Sequence, residues 1–126
     1  MTNAKTVFDL AIKLMDEQHE KTGSAFTQDT KEYELRTLSI LNVLRHELYI
    51  HSDTYAPGFI CPEIKTMEQE IDLDDTIAQG VMPYGLAAHL LLGENDGMAS
   101  FFNQRYTELM YKLGNSHQAE WEDIVM

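Results

Sequence analysis

Basic residues are scarce and scattered. Nine lysines and arginines stand against 21 aspartates and glutamates, a formal net charge of −12. No two of the nine are adjacent, so no cluster exists to neutralise a run of phosphates. This argues against sequence-specific nucleic-acid binding and against attraction to an anionic membrane. A like-charged wall is still compatible with DNA sliding past without adhering. Cysteine is nearly absent. The single Cys61 rules out an intramolecular disulfide framework and fits a reducing compartment. With no cation directly beside it to hold a thiolate, it is expected to be structural. A purely apolar leader is lacking too: Met1-Thr2-Asn3-Ala4-Lys5 turns amphipathic at once, which is not the pattern of a signal peptide. Thr76 to Gly93 carries no formal charge but includes Gln79, Gly80, Pro83, Gly85 and His89. It is too polar for lipid and is expected to be a buried core helix.

The familiar signatures of chemistry are missing as well. There is no GxSxG, P-loop or GxGxxG. His46-Glu47 followed by His51 approaches a zincin motif, but the second histidine is one residue late. That sets the two rings about 140° apart around a helix instead of on one face. His89, inside an apolar run, is expected to be a core histidine. No catalytic residue, metal ligand or cofactor site is assigned, and the chain is read as a non-enzyme.

What is present is helical periodicity over the length of one domain: 126 residues, 44% hydrophobic and 24% charged. The expected fold is all-α, a small bundle of about four helices, with residues 1–114 as a single domain and 115–126 as an acidic tail. Helix one, about Asn3 to Glu20, carries Val7, Leu10, Ala11 and Leu14 at i, i+3, i+4 and i+7, widened by Phe8 and Met15. Helix two starts near Thr27 or Thr30, loads its first turns with Asp29, Glu32 and Glu34, and runs to about His51. It has too many apolar residues for one face, so either it is central in the bundle or a second face meets another subunit. Helix three, Asp75 to Gly93, contains Pro83, which predicts a kink or break near Gln79-Gly80. Glu94-Asn95-Asp96-Gly97 is a turn and capping signal. Helix four follows to about Leu113 with Phe102, Tyr106, Leu109 and Leu113 as its stripe and Gly114 as the C′ residue.

Three segments are candidates for contacts. Between helices two and three, Ser52 to Glu70 holds Pro57-Gly58 and Cys61-Pro62 with Tyr55, Phe59 and Ile60. Loops of that length in compact domains are usually functional or disordered, and the aromatic and aliphatic content argues against simple disorder. Glu68 to Asp75 has five acids in eight residues. It reads as a solvated acidic turn and the N-cap of helix three, lacking the glycine and closing glutamate of an EF-hand. The tail carries Trp121, which either folds back or docks on a partner. The interaction residues expected are therefore Tyr55, Phe59, Ile60, Asp72, Asp74, Asp75 and Trp121.

One stretch is more specific. Ile71-Asp72-Leu73-Asp74-Asp75 leads to Val81-Met82-Pro83-Tyr84-Gly85-Leu86-Ala87-Ala88-His89-Leu90-Leu91-Leu92. It closes with Ala99-Ser100-Phe101-Phe102-Asn103-Gln104-Arg105-Tyr106-Thr107-Glu108-Leu109. Over about Ile71–Lys112, a third of the chain, this resembles the C-terminal half of head-completion or head–tail connector (adaptor) proteins of tailed phages and prophages. The N-terminal half agrees only in type. The resemblance implies a structural subunit that forms a ring at the portal, with portal and other neck proteins and further copies of itself as partners. Its expected locations are the bacterial cytoplasm during assembly and then the virion neck. The other function considered is a cytoplasmic acidic helical binding module. Such a module would regulate or inhibit a basic or DNA-binding partner through residues 68–75 and the Trp121 tail.

Overall fold

The computed structural model describes residues 2–18, 28–52, 56, 58 and 62–125, the backbone alone at 16–18, 28–30 and 115–125. Among these residues five helices follow in order: α1 (Ala4–Gln18), α2 (Gln28–Tyr49), α3 (Asp75–Gly80), α4 (Met82–Leu91) and α5 (Asp96–Val125). Among the described residues there is no named strand, only an isolated antiparallel bridge of Asn3 with Glu70. The all-α bundle expected from periodicity is what forms, with the third helix in two pieces.

The division of the third helix is a proline effect. Pro83 has no N–H to give, and its ring would collide with the carbonyl four residues back. The chain ends α3 at Gly80, passes through Val81 (φ −119°, ψ −49°), and restarts with proline inside the first turn of α4, where a missing N–H costs nothing. Asp74 occupies the N-cap position of α3, but its side chain makes no capping bond. Two other starts are capped by asparagine. Asn3 Oδ1 accepts from Thr6 N at 2.9 Å, and Asn95 Oδ1 accepts from Met98 N at 3.1 Å. Gly93, at φ +92°, turns the chain between α4 and α5, a conformation that favours glycine.

α4 is the centre of the molecule. It packs against α1, α2, α3 and α5 and buries Met82, Pro83, Leu86, Leu90 and Leu91 together with its small residues. α2, whose apolar content is equally consistent with a central helix, is instead peripheral. Leu41, Leu44 and Leu48 enter the core, with Thr37 returning its hydroxyl to Tyr33 O at 2.6 Å. Its opposite face stays open. α1 buries Ala4, Val7, Phe8, Ala11, Ile12 and Met15, while Leu10 and Leu14 are half-buried, so its core stripe is rotated slightly from the expected one.

The last helix differs most from its sequence reading. It does not stop at Leu113 with Gly114 as its C′ residue. α5 runs on to Val125, and the boundary drawn at 114/115 falls inside it. Gly114 is half-buried, and a Cβ there would stand 3.8 Å from His51 Cε1, an ordinary contact. A glycine inside a helix costs roughly 1 kcal/mol relative to alanine, which does not by itself end one.

Candidate functional site

The acidic turn is a structural joint before it is anything else. Thr2, buried, donates its hydroxyl to Asp75 Oδ1 at 2.7 Å and accepts from Gln79 Nε2 at 2.9 Å. Its carbonyl accepts from Ile71 N at 2.8 Å. Asp74 N donates to Ser52 Oγ at 3.1 Å. Asp72 and Asp74 are half-buried and Asp75 is exposed. These carboxylates thus sit where the N-terminus, the end of α2 and the start of α3 are tied together. Tyr55, Phe59, Ile60 and Cys61 lie outside the described residues. Trp121 falls on the helical backbone of α5, with its side chain outside the described set.

The connection between α2 and α3 is anchored where it is described. Asn42 pairs with Ile64 in both directions, donating Nδ2 to its carbonyl at 3.1 Å and accepting its N–H at 2.8 Å. Arg45, buried, donates to Pro62 O. Tyr49 accepts Ala56 N on its hydroxyl at 3.0 Å. Gln69 braces the connection from within, accepting Lys65 N and donating to Glu63 O, each at 2.9 Å. One polar face of α2 therefore satisfies backbone groups of this connection.

The residues of the Tyr-Gly-Leu-Ala-Ala and Arg-Tyr segments meet in space. A Cβ on Gly85 would come within 2.9 Å of the Tyr106 ring and 3.0 Å of Leu44 Cδ2, so glycine is what lets α5 and α2 close on α4 there. Beside it Arg105 lies 6.0 Å from the Tyr84 ring centroid, within cation–π range, and Tyr84 packs 6.4 Å from Phe102. The Tyr106 hydroxyl is buried without a hydrogen-bond partner. Burial, reinforced by the Glu47 carboxylate, pushes its pKa above the ordinary value.

A second clasp has no signature in the sequence. Tyr33 donates to Glu94, and Arg36 donates to Leu90 O at 3.1 Å while lying 5.6 Å from the Tyr33 ring. A cation on the last carbonyls of α4 is favoured by the helix dipole.

Apolar side chains are exposed in two places. On α2 Leu35 is 83% and Val43 55% exposed, and Ile50, in the turn just past its end, is 60% exposed. At about 100° per residue Leu35 and Val43 fall within one quarter-turn of the helix, a ridge that exposed Glu32, Ser39 and His46 share. On the α4–α5 side, Leu92, Phe101 and Tyr111 are exposed. Adjacent phenylalanines on a helix diverge by about 100°, so with Phe102 in the core Phe101 has to face out. Between α4 and α5 runs an open groove of about 390 Å³. Ala88 and Ala99 form its small-residue lining, with His89, Asp96, Ser100 and Asn103 as its polar groups. His89 is exposed on this groove, which corrects the expectation of a core histidine: α4 leaves a line open to solvent, and His89 and Leu92 lie on it.

His46 is exposed and His51 half-buried. Among the described residues no group of three or more histidines, cysteines or carboxylates is gathered closely enough to hold a metal ion. Among them, too, no helix is long and apolar enough to cross a membrane. No family model, curated protein or solved structure matches the chain.

Proposed function

We propose that this chain is a structural subunit of a phage or prophage neck, a head–tail connector that forms a ring at the portal. The observation that carries the reading is the pair of separate apolar surfaces, the α2 ridge and the α4–α5 side. A subunit in a closed ring meets two neighbours through two different patches, and exposed apolar clusters mark such contacts. The resemblance over residues 71–112 supplies the class of assembly. The net charge of −12 suits a channel wall that DNA must pass without sticking. In this reading the portal and other neck proteins are the partners, and the subunit moves from the bacterial cytoplasm to the virion neck on assembly.

The test is to mix the protein with the portal encoded near it and image the products by negative-stain electron microscopy. An added ring of density beneath the portal is the expected result. A bare portal beside monomeric chain overturns it and turns attention to an acidic helical module with a basic partner.

A further inference from the structure

We infer that the second half of α2, residues 41–49, opens from the bundle together with the backbone bonded to it at 62–64, and that the buried Tyr106 hydroxyl sets how easily it does so. This is a conformational property of the fold and holds whether or not the ring reading does. Three helices meet at Tyr106. Its ring closes on Gly85 of α4, and Leu44 of α2 approaches the same point, each within 3.0 Å of where a Cβ on the glycine would stand. The hydroxyl is sealed there without a hydrogen-bond partner, and the Glu47 carboxylate of α2 lies near enough to help raise its pKa. A hydroxyl buried in this way weakens the structure that buries it and regains hydration when that structure opens. The cover that can lift is α2. α4 and α5 share the most extensive helix contact among the described residues, whereas α2 packs on α4 and more lightly on α1.

The unit has edges. Tyr33 on Glu94 and Arg36 on Leu90 O tie the first half of α2 to the end of α4 and the turn after it. Beyond that clasp Leu41, Leu44 and Leu48 point into the core. Asn42 is bonded both ways to Ile64, and Arg45 donates to Pro62 O, so this backbone goes with the helix. From residue 67 the connection belongs to the N-terminus instead. Lys5 N donates to Met67 O at 2.7 Å, Ala4 N to Gln69 O at 3.1 Å and Ile71 N to Thr2 O at 2.8 Å. Between the two attachments lie exposed Lys65 and Thr66, spanned by the Gln69 side chain. The bond from Asp74 N to Ser52 Oγ crosses the opening and breaks with it. Off the core, α2 loses the packing from which helices in proteins draw most of their stability, so its amides exchange with solvent. Elements held this lightly are the ones that move when a protein docks or switches.

The experiment is native-state amide hydrogen exchange on the full chain and on Tyr106→Phe, under conditions where rates report opening equilibria. In wild type the amides of 41–49 and of Ile64 are expected to be less protected than those of 86–91 in α4. In Tyr106→Phe the amides of 41–49 and Ile64 are expected to exchange about fivefold more slowly, the population effect of one unpaired buried hydroxyl. The α4 amides slow by the same factor, because global unfolding exposes the residue too. Equal protection of α2 and α4 in wild type means that the bundle opens only as a whole, and overturns the inference. Slowing in α4 with 41–49 unchanged means that α2 lifts while Tyr106 stays sealed, and overturns it as well. Ile64 keeping the protection of α4 while 41–49 exchange removes it from the unit and overturns the edges drawn above. No slowing anywhere means that the hydroxyl costs nothing where it sits, which removes the device.

Discussion

α4 and α2 make opposite use of their apolar residues. α4 buries eight of its ten residues and touches every other helix. α2 buries Leu41, Leu44 and Leu48 and turns Leu35 and Val43 to solvent, with exposed Ile50 just past its end. One helix is apolar because it is surrounded within the chain; the other has more apolar surface than the chain can cover. Composition alone cannot separate these cases, because what matters is how many neighbours a helix has. The sharpest test compares matched truncations. Leu90→Ala, at a fully buried site, is expected to lose about 2–5 kcal/mol in urea unfolding. Val43→Ala is expected to stay within about 0.5 kcal/mol of wild type. Equal losses would break the distinction.

Glycine sharpens the same contrast within the α3–α4 pair. Gly85→Val places carbon inside the Tyr106 and Leu44 contacts at 2.9 to 3.0 Å, and overpacking of that kind costs about 1–3 kcal/mol. A Cβ added at Gly80 would meet nothing within 4 Å, so Gly80→Ala is expected to be neutral or to add up to about 1 kcal/mol through helix propensity. Thermal melts of the two variants should move in opposite directions. If Gly85→Val is silent, the close approach of α5 and α2 at α4 is not what holds the bundle.

On the peripheral helix the polar face matters more than the apolar ridge. Asn42→Ala removes both hydrogen bonds to Ile64 and one to Leu38 O at 2.9 Å. A loss of about 1–2 kcal/mol is expected, since the backbone groups of buried Ile64 are left unpaired. Amide exchange locates the effect: Ile64 should lose protection while amides in α4 keep theirs. Uniform loss across both would mean the 62–69 segment and the core open as one unit.

How far the residues announced this arrangement depends on whether the deciding force was local. The break ahead of Pro83 and the turn at 93–97 follow from one residue's covalent geometry or capping, and both were legible. So was α1, whose repeat needs only one apolar side. The expected end at Gly114 fails because a C′ glycine acts only if the chain leaves the helix there, and α5 does not. The expectation for His89 fails because an unbroken apolar run has no phase from which to read an outward line. The acidic turn is visible as a cluster, but its bonds to Thr2 and Ser52 link residues far apart in sequence, and periodicity holds no trace of them. The apolar surplus on α2 is visible; the groove between α4 and α5 is not, since a groove belongs to two helices at once.

A single hydroxyl is at stake at Tyr106, where the central and peripheral helices meet α5. Its hydroxyl is buried and unpaired, which weakens the folded state, so Tyr106→Phe is expected to add about 1 kcal/mol at neutral pH. The alkaline side gives an independent readout. Burial and then Glu47 raise the folded-state pKa above the unfolded value of about 10. The unfolded chain therefore releases this proton first. The folded state holds more protons, and stability falls as pH rises past about 10. Removing the hydroxyl removes that component, so urea midpoints of Tyr106→Phe should decline less steeply than wild type over the same range. Parallel alkaline slopes would place the hydroxyl in contact with water and undo the picture of a sealed junction among α2, α4 and α5.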